Sequence, residues 1–365
     1  MININCSTNN YLGLLIVGIV ASTPSFADKD STMNQTRPKI DALFKQTKSV
    51  CFGRFILQVP VSALVTWGET HVRYDIESYP NGGVKIPVKI REKTEEIKAI
   101  KHIREPSTFI GVFDGPNKES KIVVGYPDFT DNLGVQIHSF IRLGETGFIQ
   151  KADITLKSAR DENGDDKYDK QSYKQFVVEF QEIAGLLRLR SDAEIPTVPG
   201  ICIEAGFMPE AVGKYHEMTS IGFSFPEYPD VRFSVSTIRK NKVNPESSLE
   251  NIMKNAREEA GLFGLTSLFN RIKVLRKGER KIGDWDGAEQ LSWMPPDEKG
   301  MPWTHEFKFK SIGVAKDMFR PYINMELSTG VSKNSKGVNE PSLKDDEAIA
   351  LWDKLTTSIQ TRPTK

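Results

Sequence analysis

The feature that most constrains this chain is a long succession of short runs in which apolar and polar residues alternate. In the first half the runs are VCFGRFILQVP, THVRYDIESYP, VKIPVKIRE, FIGVFDG, KIVVGYP and VQIHSFIRLG. In the second half they are GICIEAGF, MTSIGFSFPE, VRFSVSTIR, IKVLRKG, AEQLSWM, HEFKFKSIG and YINMELSTG. Clusters of Pro, Gly, Asn and Asp separate them, and period-two alternation bounded by such residues is the pattern of half-buried strands. The chain therefore reads as mainly antiparallel sheet.

Three stretches switch to helical spacing. Tyr173, Phe176, Val177, Phe180, Ile183, Ala184 and Leu187 place one apolar stripe on a helix from about Lys170 to Arg190. In SSLENIMKNAREEAG the stripe is Leu249, Ile252, Met253 and Ala256, with Ser247 as the expected cap and Gly261 as the stop. A last helix is expected from SLKDDEA, with Ser342 and Asp345 as a capping box, through Ile349, Trp352, Leu355 and Ile359 to Pro363. Each half thus ends in an amphipathic helix that reaches an Arg and then a Pro, LLRLRSDAEIP and SIQTRP, and each has a cysteine-bearing strand near its start. The expectation is an α+β fold of two similarly built domains, residues 28–195 and 196–365, of mainly antiparallel sheet with packed amphipathic helices. They join at DAEIPTVPG, where Pro196 and Pro199 stiffen the crossing.

Residues 1–27 lack Asp, Glu, Lys and Arg and contain the apolar run YLGLLIVGIVA, followed by STPSFA and then DKD. The run is about 11 residues, short of the roughly 20 that span a bilayer. Small residues at Ser25 and Ala27 suit a cleavage point before Asp28. A cleavable export signal is expected; an uncleaved N-terminal anchor is the alternative, because the n-region MININCSTNN has no Lys or Arg. No later segment reads as a membrane span. Lys plus Arg number 49 against 48 Asp plus Glu, and no charge contrast between the halves advertises a nucleic-acid surface. The densest basic cluster, RIKVLRKGERK, reads as two short strands around a KGER turn with its cations in solvent.

The motifs of chemistry are missing or broken. GFSFP at Gly222 lacks the final Gly of a nucleophile elbow. HEMTS at His216 and HEFKF at His305 lack the second His of a zinc-protease helix, and the five histidines, 71, 102, 138, 216 and 305, are widely spaced along the chain. DENGDDKYD, Asp161 to Asp169, imitates the start of a calcium loop, but Asp166 replaces the turn Gly and Ser172 the bidentate Glu. No catalytic, cofactor or metal residues are assigned.

Loss of the signal removes Cys6 and leaves Cys51 and Cys202 in a chain bound for an oxidising compartment. One bridge would close a loop of about 150 residues and stabilise the fold by up to ~5 kcal/mol. The competing reading is two separate buried thiols, since both neighbourhoods are apolar; the bridge is preferred.

As a set and in this order, VCFGRFILQVP, PGICIEAGF, VRFSVSTIR, HEFKFKSIG, YINMELSTG and SLKDDEAIALWDKLTTSIQTRP resemble the two-domain immunity proteins that protect Gram-negative bacteria against type VI secretion phospholipase effectors. The resemblance covers nearly the whole mature chain. It implies a periplasmic inhibitor without catalytic residues or cofactor, monomeric when free, that binds its cognate phospholipase and clamps the lid or blocks the substrate cleft. Contact residues are sought among exposed aromatics: Trp303 in the loop Met294–Trp303, with Asp297 and Glu298 beside it, and Trp285 in GDWDG. For Trp303 the stronger competing reading is a strand-end cap at a core edge. The alternatives to an inhibitor are a periplasmic hydrolase and a lipid-binding envelope protein.

Overall fold

The computed structural model describes residues 38–160, 166–210, 215–296 and 298–365. The expected signal, residues 1–27, lies outside them, as do Asp161 to Asp165 and Asp297. A short helix α1 (Pro38–Leu43) leads into the hairpin β1 (Thr47–Phe52) and β2 (Phe55–Pro60). Strands β3 (Leu64–Val72) and β4 (Tyr74–Tyr79) follow, then helix α2 (Ile86–Ala99). A meander of β5 (Phe109–Asp114), β6 (Lys121–Gly125), β7 (Gly134–Leu143) and β8 (Thr146–Thr155) precedes the small hairpin β9 (Ser158–Arg160) and β10 (Asp166–Tyr168). Helix α3 (Tyr173–Leu186) and the two-residue β11 (Arg188–Leu189) close the first half.

The second half repeats this order. It has the hairpin β12 (Gly200–Ile203) and β13 (Gly206–Pro209), strands β14 (Glu217–Phe225) and β15 (Tyr228–Ile238), and helix α4 (Leu249–Leu262) with the short α5 (Thr266–Phe269). The meander β16 (Lys273–Ile282), β17 (Trp285–Met294), β18 (Thr304–Ser311) and β19 (Tyr322–Ser328) follows, then α6 (Asp345–Thr357) and β20 (Gln360–Thr361). All long strands join one 12-stranded antiparallel sheet, ordered β16-β17-β18-β19-β15-β14-β3-β4-β8-β7-β6-β5. Read inward from either edge, the order is the same meander, then the two earlier strands. The halves meet where β3 pairs with β14, Val72 opposite Glu217 at one end and Leu64 opposite Ser224 at the other. This is the α+β, similarly built pair of halves that the sequence suggested.

Packing does not follow chain order. A β-hairpin is marginal alone and must be covered, and here each half covers the other's opening hairpin. Val50, Phe52, Phe55, Leu57 and Val59 of β1–β2 pack with Phe223, Phe233, Phe307, Leu327 and Trp352 of the second half. Ile201, Ile203 and Met208 of β12–β13 pack with Ile76, Ile137, Phe148, Phe180 and Ile183 of the first. Short closing strands complete the exchange, β20 pairing with β2 and β11 with β13. Trp352 on α6 sits edge-on to Phe233 and Phe307, 6.1 Å between centroids in each case; such pairs add about 0.5–1.5 kcal/mol beyond burial.

Three expectations are corrected. VKIPVKIRE is not a strand but the end of a turn and the start of α2, because Pro87 fits a helix's first turn and Ile86, Ile90 and Ile97 share one packed side with Val123 and Phe140. Most of RIKVLRKGERK lies in one strand, β16, with a register shift between Val274 and Arg276, rather than in two strands around a turn. Its Arg276 and Arg280 are partly buried and paired rather than free in solvent: both bond the buried Glu289, at 2.6 and 2.5 Å, which also accepts from Trp352 Nε1 at 3.1 Å. The last helix begins at Asp345 with Lys344 as its cap, the Lys344 N–H donating to Glu347, while Ser342 N–H donates to Asp230.

Candidate partner-binding face

Alternation gives each strand two faces, and in the second half they differ in kind. One cross-strand row holds Phe223, Phe233, Leu327, Phe307 and Leu291, all in the core. The opposite face of the same sheet holds Thr66, Gly222, Ser234, Glu326 and Lys308 in one row and Ser220, Ser236, Asn324 and Lys310 in the next. Short side chains on β14 and β15 leave the backbone close to the surface, and Ser234 is exposed. The face continues into the first half through Met218, His71, Asp75, Lys151 and His138.

Two corresponding helices wall this face. Helix α2 lies on β5, β6 and β7, where Ile86 and Ile97 bury against Val123, Phe140 and Ile149. Helix α4 lies on β17 and β18, with Leu249, Met253 and Ala260 turned inward, and Gln290 and Ser292 of β17, on the same sheet face, are buried. The result is a polar trough between two helices. Beyond each helix stand apolar side chains without cover. Leu262 and Phe263, between Gly261 and Gly264, are 84 % and 68 % exposed. After α2, exposed Ile103 lies beside exposed Phe129, its N–H donating to the Phe129 carbonyl at 3.0 Å.

Trp303 precedes β18, half-buried, stacked on Trp293 with centroids 6.3 Å apart. Arg271 and Lys273, just after α5, lie 5.7 and 5.1 Å from its ring centroid, a cation–π arrangement worth about 0.5–1 kcal/mol per contact where exposed. Trp303 thus stands at a strand end, packed on Trp293 and flanked by two cations. Glu298 is exposed in the same loop; the expected contact Asp297 lies outside the described residues. Trp285 is a correction: at 2 % exposure it is a core residue, 5.0 Å from the Phe55 ring, its Nε1–H donating to the Pro321 carbonyl at 2.9 Å. A tryptophan after a tight turn faces the core when its strand register does, and Trp285 pairs with buried Ile282.

The floor of the trough is pinned where the halves meet. Cys51 and Cys202 form a disulfide, and beside it Gly53 and Cys202 exchange backbone hydrogen bonds of 2.8 and 2.7 Å. Gly53 has φ +52°, and a Cβ there would lie 2.6 Å from Thr219 Oγ1, so the site requires glycine. Next to it, buried Arg54 donates from Nε to Glu217 at 2.9 Å, from Nη1 to the Glu210 carbonyl at 3.1 Å, and from Nη2 to the Glu210 carboxylate. Burial pushes the Glu217 carboxyl up despite Arg54. The two arginines that end the halves play matching parts: Arg190 donates to the carbonyls of Ile203 and Gly206, and Arg362 to those of Val198 and Gly200.

Under α2 the trough contains a cavity of about 250 Å³ lined by Glu77, Lys89, Glu92, Lys93, Glu96, His138, Phe140, Ile149 and Lys151. Burial, with Lys93 adding to it, pushes His138 down to about 4, so it is neutral at pH 7. The structure also brings His71 and His216 edge to face at 5.3 Å, a proximity that chain spacing hides. Among the described residues no group of three or more His, Cys, Asp or Glu is arranged to hold a metal ion, and no helix is long and apolar enough to cross a membrane. His305 is fully buried, bonded to Thr329 at 2.9 Å and Asp345 at 3.0 Å. Sequence reasoning missed the trough itself. Its one legible sign was the small polar set Ser220, Gly222 and Ser224 on alternate positions of MTSIGFSF.

Comparisons with known proteins bear on most of the chain. The family model described as the N-terminal domain of Tle cognate immunity protein 4 matches residues 48–190, and that of its C-terminal domain matches residues 194–364. No curated protein matches. Among solved structures, the apo immunity protein TplEi of the type VI secretion system from Pseudomonas aeruginosa is 21 % identical, with a TM-score of 0.67 over 87 % of this chain and 98 % of that one. A chain of the Tle4–Tli4 complex gives 21 % identity and a TM-score of 0.68 over 87 % and 98 %. TplEi complexed with "L" peptide gives 22 % and 0.63 over 88 % and 99 %. At such identity these structures speak for a shared fold.

Proposed function

Because the chain belongs to the two-domain Tle cognate immunity protein 4 family, and is thereby an immunity protein against a type VI secretion phospholipase effector, we propose that it neutralises that enzyme by seating part of it in the trough between α2 and α4. The observation that carries this reading is the open central sheet face: small polar side chains over β14 and β15, walled on both sides, in a protein whose opposite sheet face is packed with aromatics. Among its structural neighbours, Tli4 is recorded in a complex with Tle4 and TplEi with a peptide. A trough of this form suits a protruding polypeptide element. Lipases admit substrate to an apolar cleft past mobile elements, so holding such an element stops turnover without any bond being made or broken by the inhibitor.

Protection against a lethal enzyme needs slow dissociation. We expect nanomolar or tighter affinity, about −12 kcal/mol, over an interface on the order of 2,000 Å². The site of action is the periplasm in this reading, supported by the leader-like residues 1–27 and by a disulfide, a bond that persists in oxidising compartments. Fractionation of cells that express the full chain tests this directly, and recovery with the cytosol would reject it. To test the function, the protein is mixed with its cognate phospholipase, which this reading expects to be encoded in a neighbouring reading frame. Equimolar protein should abolish lipid hydrolysis, and Ser234→Trp, which fills the trough from an exposed position, should restore it. Undiminished hydrolysis with the wild-type protein would end this reading.

A further inference from the structure

At one end of the trough three side chains converge: Lys240, just past β15, Lys310 on β18 and Tyr322 on β19. Lys240 Nζ stands 4.1 Å from the Tyr322 ring centroid. Lys310 Nζ donates to Tyr322 Oη at 3.1 Å. Neither ammonium has a carboxylate within 4.0 Å among the described residues. Glu326, which attracts Lys310, accepts from Asn324 Nδ2 at 3.2 Å and is also under the pull of Lys308 and Lys336.

Half-buried cations held on one ring with no carboxylate in ion-pair contact are costly, because each has lost water and repels the other, and Glu326 acts on Lys310 only from a distance. Burial pulls both lysines below their usual range, and Lys310 adds to the effect on Lys240. The Tyr322 hydroxyl accepts from Lys310 and keeps its own proton, burial having raised it to about 12. Two ammonium groups and one O–H are therefore available to a single anionic oxygen group arriving from the trough. Charge-assisted bonds to a carboxylate would replace the lost hydration and relieve the repulsion.

We propose that Lys240, Lys310 and Tyr322 form an anion seat that takes one Asp or Glu carboxylate of the effector, a refinement that rests on the trough being the effector site. The experiment measures affinity and association rate, at several salt concentrations, for the cognate phospholipase effector. The doubly substituted Lys240→Gln, Lys310→Gln protein should bind about 10- to 100-fold more weakly, with a shallower salt dependence of association. It should melt no lower than wild type, since two partly desolvated charges that repel one another are gone. Lys240→Arg with Lys310→Arg should retain most of the affinity, and Lys118→Gln with Lys174→Gln, exposed elsewhere, should retain all of it. Unchanged binding by the Gln pair, or an equal loss by the Arg pair, would overturn the seat while leaving the trough standing. A wild-type protein that does not bind the phospholipase would remove the trough reading and the seat together.

Discussion

Cys51 and Cys202 occupy corresponding places in the opening hairpins of the two halves, their Cα atoms are 5.8 Å apart, and the bond between them ties hairpins that belong to different cores. Because the cysteines are 151 residues apart in sequence, the bridge restricts the unfolded chain strongly. Replacing both with serine should cost up to about 5 kcal/mol and lower the melting temperature by up to roughly 7 °C. Thermal unfolding with and without reductant checks this: reductant should destabilise the wild type and leave the double variant unmoved.

Arg54 stands between two buried carboxylates, so its removal takes their shared guanidinium from both. Arg54→Ala is expected to cost about 3–5 kcal/mol. Adding Glu210→Gln and Glu217→Gln to it should recover much of that loss, because the two carboxylate charges that Arg54 neutralised disappear with it. Urea unfolding of the single and triple variants separates a charge effect from lost packing, which the triple variant would not restore.

His138 supplies a pH dependence with a definite sign. Its folded pKa of about 4 lies below the ordinary 6.5, so between those values the unfolded chain binds the proton and the native protein does not. Stability therefore falls as pH drops from 6.5 toward 4, by at most roughly 3 kcal/mol from this group. The wild type and His138→Gln should converge at the acid end of the window relative to their difference at pH 7. Parallel stability curves would show that His138 titrates normally.

Leu262 and Phe263, exposed at the end of α4, contribute little to the fold and are expected to contribute to the partner contact. Burying each fully would be worth about 1.5–3 kcal/mol. Leu262→Ser with Phe263→Ser should then weaken phospholipase binding by about 100-fold or more with the melting temperature unchanged. Calorimetric titration beside a melting curve reads both; equal affinity would place these side chains outside the interface.

What was legible before folding is instructive residue by residue. The apolar stripe of α3 and the alternation of β14, β15, β18 and β19 depend on neighbours a few positions away, and the structure has them as read. VKIPVKIRE misled because alternating Val and Ile also satisfy a helix when one side packs on a sheet, as Ile86 and Ile90 do on Phe140 and Ile149. Trp285 and Arg276 misled for one reason: exposure is decided by what a distant segment lays on top. Phe55 covers the former, while Asp353 of α6 bonds the latter at 3.0 Å.

Local periodicity, turn residues and the matching order of strands and helices in the two halves thus set the fold class and its repeat, since those properties live in φ/ψ preference and in neighbours along the chain. The exchange of hairpins, the meeting of Arg54 with Glu210 and Glu217, and the open trough arose only on folding. They depend on which surfaces from residues 150 or more positions apart cover one another, and no window along a chain carries that information.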